Sequence, residues 1–194
     1  EINDAECQAT AHAIGDGAVE FMVEGYEKAF ATNPRPDLRH RIEHCTLADL
    51  DLLQRMARMN ICPSVNVGQI TFQGANYMRF YGEERNKYLC ALRTMLDLGI
   101  KCSLQSDYPS GPVGMALLDG AVNRYDRVKN QQCDETQKIS LMEAVRCATL
   151  YGAYGSFEED CKGSIEAGKQ ADMIVLSRNI TGTEPMELNA VKVD

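Results

Sequence analysis

Apolar residues along this chain alternate between two spacings, one typical of strands and one typical of helices. Short apolar or alternating runs predict strands, whereas apolar residues three and four positions apart predict helices. The predicted strands cover residues 9–14, 38–45, 61–67 and 100–106, and the predicted helices cover 17–31, 47–59, 86–98 and 140–154. The polar stretch 69–84 fits neither spacing and is predicted to be a long connection.

The order of these elements predicts an α/β fold with a parallel sheet. Parallel neighbours need a crossover connection, and the predicted helices supply it. Ser140, followed three residues later by Glu143, is a capping box at the start of the last helix. Beyond about Phe157 the chain becomes turn-rich and leads to a predicted strand at 171–176. The sequence therefore predicts an α/β domain at 1–156 and a small β-rich appendage at 157–194.

The composition narrows the classes of partner. Lys and Arg number 20 against 28 Asp and Glu, and the net charge of −8 speaks against a sequence-independent nucleic-acid binder. No run of about 18 apolar residues predicts a membrane span. None of the eight cysteines forms a CxxC pair, and most lie in apolar segments, which is typical of free thiols in a reducing compartment. Residues 1–6 lack signal-peptide features, so a cytoplasmic protein is predicted.

Three candidate metal ligands lie at the ends of predicted strands. His12 belongs to the end of the first strand, His44 to the end of the second, and Asp107 follows the fourth. The carboxyl ends of parallel strands meet at one edge of a sheet, and imidazole with carboxylate is a ligand set for a divalent metal, zinc first of all. Taken singly, each residue is more often structural than a ligand. Their shared edge favours the metal site.

The second strand carries further polar residues whose roles depend on the direction in which they point. Alternation along a strand puts His40, Ile42 and His44 on one face. His40 lies deeper in the strand and is predicted to be structural. Arg41 and Glu43 then point to the opposite face, which is predicted to be covered by the helices, and they are expected to form a structural ion pair.

Four short motifs occur in order along nearly the whole chain. They are His-Ala-Ile-Gly-Asp at 12–16, His-Arg-Ile-Glu-His at 40–44, Ser-Asp-Tyr-Pro at 106–109 and Gly-Ser-Ile-Glu-Ala-Gly-Lys-Gln-Ala-Asp at 163–172. Together they resemble successive motifs of the amidohydrolase superfamily, in the branch called amidohydrolase family 3. The resemblance implies the C-terminal half of a (β/α)8 TIM-type barrel, strands five to eight, followed by part of a small β-sandwich.

The resemblance also implies roles for the candidate residues. His12 and His44 become the metal ligands of strands five and six, and Asp107 becomes both a metal ligand and the catalytic proton shuttle. The metal, zinc with manganese or iron as alternatives, would activate water to cleave a C–N bond of an amide, formamide or cyclic amide. The substrate is a small molecule that the sequence does not identify. Tyr77, Arg79 and Tyr81 are candidate contacts to it.

The chain departs from the family pattern in its number of strands and in its ligand set. A complete barrel has eight strands over about 250 residues, whereas four strands are predicted here. The His-x-His pair of the family's first strand does not occur. A half-barrel exposes sheet edges and apolar surface, so we expect a homo-oligomer, weak metal binding and little hydrolase activity from this chain alone.

Two other function classes stay open at this point. A non-catalytic half-barrel that serves for binding or dimerisation would associate tightly and hold no metal. A nucleotide-binding α/β domain is the weaker alternative, because the Gly15-Asp16-Gly17 loop lacks the third glycine of the dinucleotide-binding motif.

Overall fold

The central element is a parallel sheet of four strands in sequence order. The computed structural model describes residues 1–35, 37–111 and 113–193. Its sheet consists of β1 (Thr10–Ala13), β2 (Arg41–His44), β3 (Cys62–Asn66) and β4 (Ser103–Gln105). All four strands fall within the predicted ranges, so the predicted α/β fold with a parallel sheet is confirmed.

Seven α-helices, a short hairpin and three short 3-10 helices (Glu135–Gln137, Ile180–Gly182 and Pro185–Ala190) complete the regular structure of the described residues. The helices are α1 (Asp16–Thr32), α2 (Leu50–Arg58), α3 (Gly68–Asn86), α4 (Leu92–Asp97), α5 (Met115–Asn123), α6 (Leu141–Ala148) and α7 (Leu150–Gly155). The antiparallel hairpin consists of β5 (Tyr125–Asp126) and β6 (Gln131–Gln132). None of these helices combines the length and apolar character needed to cross a bilayer.

The core lies between the helices and one face of the sheet. Val19 and Val23 of α1 and Met56 of α2 are fully buried there with Ile42 of β2 and Val65 of β3. Each such side chain contributes about 1.5–3 kcal/mol by leaving water. This apolar layer fixes the sheet against its helices.

The opposite face of the sheet is polar. The pairing register places Thr10 beside Arg41 and His12 beside Glu43, and residues paired in this way share a face of the sheet. The polar members of this face, strand by strand, are Thr10, His12, Arg41, Glu43, Ser64, Asn66, Ser103 and Gln105. Parallel sheets are normally covered by apolar layers on both faces, so this polar face is the side on which chemistry can take place.

The predicted orientation of β2 was wrong. Ile42 faces the helices, and the ring of His40 lies 4.9 Å from the ring of Tyr26 in α1. Arg41 and Glu43 therefore lie on the polar face and not on the helical side. Alternation defines two faces but does not say which one the helices cover. The ion pair between them is confirmed, with N–O distances of 2.9 and 3.1 Å.

The stretch 69–84, predicted to be a connection, is instead mostly helical and belongs to α3, which is kinked at Gly82, where the backbone is non-helical at φ 74° and ψ 170°. Its glycines and polar residues hide the helical spacing, and tertiary contacts stabilise the helix. Asn66 accepts a hydrogen bond from the Gly68 N–H at 2.9 Å, and Asp126 accepts one from the Ala75 N–H at 2.9 Å. At Gly74 the helix approaches Cys133 so closely that a side chain would overlap its sulfur.

Two predicted helices are shorter than expected. The first half of the helix predicted at 86–98 instead binds the segment after β2. Leu89 forms a β-bridge with Leu47, and the Cys90 N–H donates to Thr46 O at 2.7 Å. The helix therefore begins only at Leu92. The helix predicted at 140–154 is divided at Thr149, whose backbone leaves the helical conformation at φ −125° and ψ −83°.

The strand predicted at 171–176 does not form in the described residues. Only Leu176 makes a bridge, to Val193, while Met173, Ile174 and Val175 are 65–67% exposed. A strand needs a neighbour for its backbone hydrogen bonds, and a single bridge is not enough. The division into 1–156 and 157–194 stays a prediction.

Candidate active site

A cleft of about 600 Å³ opens on the polar face at the carboxyl edge of the sheet. Side chains from all four strands, from the loop after β4 and from α5 line it. These residues are His12, Arg41, Glu43, His44, Ser64, Leu104, Gln105, Ser106, Asp107 and Leu117. The structure thus brings the three sequence-predicted site residues, His12, His44 and Asp107, to one cleft.

The two cleft histidines are neighbours. Their ring centroids are 4.4 Å apart at an interplanar angle of 67°. His12 is exposed on the polar face, whereas His44 is buried at 6% exposure. By register His44 pairs with Ala13 and Val65 of the buried face. Its backbone, however, has a φ of 70°, and its ring reaches His12.

The candidate metal ligands at the ends of β2 and β4 both have left-handed backbone conformations. His44 has a φ of 70° and Asp107 a φ of 52°. For a residue other than glycine this conformation costs about 1–2 kcal/mol. Such strain persists where the surrounding structure enforces it, and it concentrates at functional sites. Ten non-glycine residues of the described chain have a positive φ, so this conformation contributes to the geometry of His44 and Asp107 without identifying the site.

A hydrogen-bond network surrounds His44. The side-chain amide of Gln105 satisfies its neighbours in one orientation: its oxygen accepts from His44 Nδ1 at 3.1 Å, and its nitrogen donates to Ser64 Oγ and Glu43 Oε2, both at 3.1 Å. Glu43 also accepts a hydrogen bond from Thr10 Oγ1 at 2.8 Å. The network therefore connects side chains of all four strands.

Burial and charge set the protonation of His44. Burial lowers the pKa of His44 below its usual 6.5, and the neighbouring His12 lowers it further, while Asp107 and Glu43 act in the opposite direction. His44 is therefore neutral at neutral pH. A neutral imidazole has the free nitrogen lone pair that a metal ligand requires.

The donors fit a divalent metal in chemical type. Two imidazoles and one carboxylate are ligands of zinc and of comparable transition metals. Among the residues that the structure describes, no three His, Cys, Asp or Glu side chains are gathered closely enough to hold an ion. Holding a metal therefore requires these side chains to move closer together.

Sequence reasoning missed four polar residues of the cleft. Arg41, Glu43, Ser64 and Gln105 all line it, and so does Ser106, which was noted only as part of a motif. The register of β2 against β1 is the signal that could have found Glu43, because it places this residue beside His12. Conversely, Tyr77, Arg79 and Tyr81 belong to α3 and are not among the described residues that line the cleft.

A parallel α/β sheet with histidines and a carboxylate at its carboxyl edge defines a class of protein that has its chemistry at strand ends. The model of the amidohydrolase family matches residues 1–194. The chain therefore belongs to the amidohydrolase family, and the predicted resemblance is confirmed.

Individual relatives agree with this membership. The chain is 30% identical to an N-substituted formamide deformylase of Arthrobacter pascens, over 94% of this chain and 34% of that protein. The crystal structure of an uncharacterized metal-dependent hydrolase from Pyrococcus furiosus is similar with a TM-score of 0.71 and 29% identity, over 92% of this chain and 34% of that one. The chain thus spans about a third of the length of these relatives.

A third likeness concerns the fold alone. An adenosine deaminase from Xanthomonas campestris, solved with bound zinc, superposes with a TM-score of 0.64 at 15% identity, over 96% of this chain and 42% of that one. The two relatives of 29–30% identity, a deformylase and a metal-dependent hydrolase, are both named as enzymes.

Proposed function

We propose that this chain carries part of the catalytic site of a metal-dependent hydrolase that cleaves a C–N bond of an amide, formamide or cyclic amide. One observation carries the proposal: His12, His44 and Asp107 line a single cleft at the strand ends of an amidohydrolase-family chain. The similarity to a formamide deformylase supports formamides as the first small-molecule substrates to test.

The proposal gives each residue a role. His12 and His44 hold a divalent metal through imidazole nitrogens, and Asp107 adds a carboxylate oxygen. Zinc is the first candidate, with manganese and iron as alternatives. Such a metal supplies the Lewis acidity that activates water and polarises a carbonyl. Asp107 takes the proton of the attacking water at a carboxylate oxygen and delivers it to the leaving nitrogen.

The half-barrel, strands five to eight, is also part of the proposal. It is supported by the share of the relatives that the chain covers, about a third, and by the polar sheet face. Two imidazoles and one carboxylate are a sparse ligand set, so we expect weak metal binding and little hydrolysis from this chain alone. A cytoplasmic setting is supported by eight free cysteines, six of them buried. The comparisons give no support to a non-catalytic module.

Metal content tests the proposal. The chain, purified without chelator, is compared with His12→Ala and His44→Ala by mass spectrometry of bound metals. We expect less than one equivalent of metal in the unaltered chain, because its ligand set is sparse, and none in either variant. His40→Asn is the matched control, because His40 is the third histidine and lies outside the cleft. A chain without metal, or equal metal in all four proteins, would contradict the proposed site.

A further inference from the structure

The side-chain amide of Gln105 lies among polar atoms that restrict its orientation. One end of the amide lies 3.1 Å from Ser64 Oγ, 3.0 Å from Ser64 O and 3.1 Å from Glu43 Oε2, all of which accept hydrogen bonds. We therefore assign the amide nitrogen to this end, and not to the end that lies 3.1 Å from His44 Nδ1. The amide oxygen then lies 3.1 Å from His44 Nδ1. An amide oxygen only accepts, so this contact is a hydrogen bond only if Nδ1 carries the proton.

We propose that Gln105 is a positioning residue for His44: it holds the proton of the imidazole on Nδ1 and leaves the lone pair of Nε2 free for a metal ion in the cleft. The inference rests on the proposed function. Partners that orient a ligating histidine fix its tautomer and the direction of its ring.

The orientation of Gln105 is anchored from further along the sheet. Glu43 accepts two hydrogen bonds from Arg41, at 2.9 and 3.1 Å, and one from Thr10 Oγ1 at 2.8 Å. These donors hold the carboxylate in place as the acceptor for the Gln105 nitrogen. A turned amide would set its oxygen against Glu43 and Ser64, so the network disfavours the other orientation.

Asn66 competes for the same nitrogen of His44. Its amide nitrogen lies 3.4 Å from His44 Nδ1, and its oxygen accepts from the Gly68 N–H at 2.9 Å. Donation by Asn66 would require an unprotonated Nδ1 and put the proton on Nε2. The longer distance and the four contacts of Gln105 favour Gln105 as the partner that decides the tautomer.

The tautomer can be measured without any metal. Nitrogen-15 NMR distinguishes a protonated from an unprotonated ring nitrogen, and the chain has three histidines. Burial lowers the pKa of His40 and of His44, so at about pH 8.5, two units above the ordinary histidine pKa, the spectrum reports their neutral tautomers. We expect the proton of His44 on Nδ1. His40 is an internal reference with the proton on Nε2, because its Nδ1 accepts from the Ala9 N–H at 3.0 Å.

Three variants separate the partners. In Gln105→Met, which keeps the chain length of the side chain, His44 is expected to lose its preference for Nδ1–H. Gln105→Glu combined with Glu43→Gln keeps an accepting oxygen towards His44 and exchanges donor and acceptor between positions 43 and 105, so the double variant is expected to restore it. Asn66→Ser removes the competing amide and should leave the tautomer unchanged. An unchanged His40 signal in each spectrum shows that the variant is folded.

Zinc affinity, measured against a competing chelator, gives the second readout. Loss of an orienting partner weakens metal binding by about 10- to 100-fold, which we expect for Gln105→Met, with recovery in the double variant Gln105→Glu with Glu43→Gln. A His44 proton on Nε2 in the unaltered chain, or a tautomer that does not change in Gln105→Met, would overturn the inference. Failure of the unaltered chain to bind zinc, with the expected NMR result, would refute the proposed function and not the role of Gln105.

Discussion

Arg124 shows how one buried side chain supports the loop beneath the cleft. The residue is fully buried, and its guanidinium donates to the backbone oxygens of Asp134 at 2.6 Å, Cys90 at 3.1 Å and Leu89 at 2.7 Å. Burial lowers its pKa, yet the three carbonyls satisfy its donors. The Cys90 N–H in turn binds Thr46 O, just after His44. Arg124 therefore links α5 to the end of β2.

Replacing Arg124 by methionine should destabilise the chain by about 3 kcal/mol. The substitution leaves buried carbonyl oxygens without donors, and unsatisfied buried groups are costly. Urea unfolding followed by circular dichroism measures the change. Arg178→Met is the matched control, because Arg178 is an exposed arginine paired with Glu187. Equal midpoints for the two variants would contradict the supporting role.

Individual residues also show how much of the candidate site could be predicted from the sequence. His12, His44 and Asp107 were predictable because strand ends are visible in the hydrophobic pattern. Arg41 and Glu43 were assigned to the wrong face of the sheet. The alternation of residues along a strand separates its two faces, but only the packing shows which face the helices cover. Gln105 carries no charge and no motif, so only the folded sheet shows its contact with His44.

Among the elements, α6 is the one whose start is most fully determined by local sequence. The Ser140 hydroxyl accepts from the Glu143 N–H, and the Glu143 carboxylate accepts from the Ser140 N–H, as the capping box predicts. Arg93 of α4 also binds Glu143 at 2.7 Å. Hydrogen bonds from the Ser140 backbone and from Arg93 lower the pKa of Glu143 from 4.5 to about 2.

Glu143→Gln should therefore show a pH-dependent loss of stability. Because the pKa is lower in the folded chain, ionised Glu143 stabilises it fully above pH 4.5, and this contribution disappears as the pH falls towards about 2. We expect the variant to be about 1 kcal/mol less stable at neutral pH, the size of a lost cap. Urea midpoints of both proteins across that range measure it. A difference independent of pH would rule out the carboxylate as its source.

Element prediction succeeded where packing and local pattern agree, as in β2 and α2. It failed for α3, where glycines at 68, 74 and 82 and a mostly polar sequence conceal a helix that depends on Asn66, Asp126 and the β5–β6 hairpin. The prediction of a strand at 171–176 was wrong for the opposite reason. Its apolar pattern is clear, but strand formation depends on a partner that the pattern does not contain.

The whole molecule has two kinds of exposed surface. One is the polar sheet face with its cleft, which water can cover at little cost. The other is apolar and lies in the C-terminal segment, where Ile165 is 90% exposed and Met173, Ile174 and Val175 are 65–67% exposed. Contiguous exposed apolar residues are typical of interaction surfaces, so the predicted homo-oligomer is expected to use this segment.

Sedimentation velocity tests self-association. We expect the sedimentation coefficient of the unaltered chain to rise with concentration, and Ile174→Asp to suppress that rise because it puts a charge into the apolar segment. Val128→Asp is the matched control, since Val128 is also exposed, at 62%, but lies between β5 and β6. A monomer at every concentration, or equal behaviour of both variants, would contradict the expectation.

The close approach of Gly74 to Cys133 has a consequence for how substitutions at these two positions can accumulate. Every other amino acid at position 74 has a Cβ atom, which would overlap the Cys133 sulfur, and overpacking of this kind costs about 1–3 kcal/mol. A side chain at 74 therefore costs less stability together with, or after, a smaller residue at 133. The effects of substitutions at the two positions are expected to be non-additive, so their order affects the stability of the intermediate sequence.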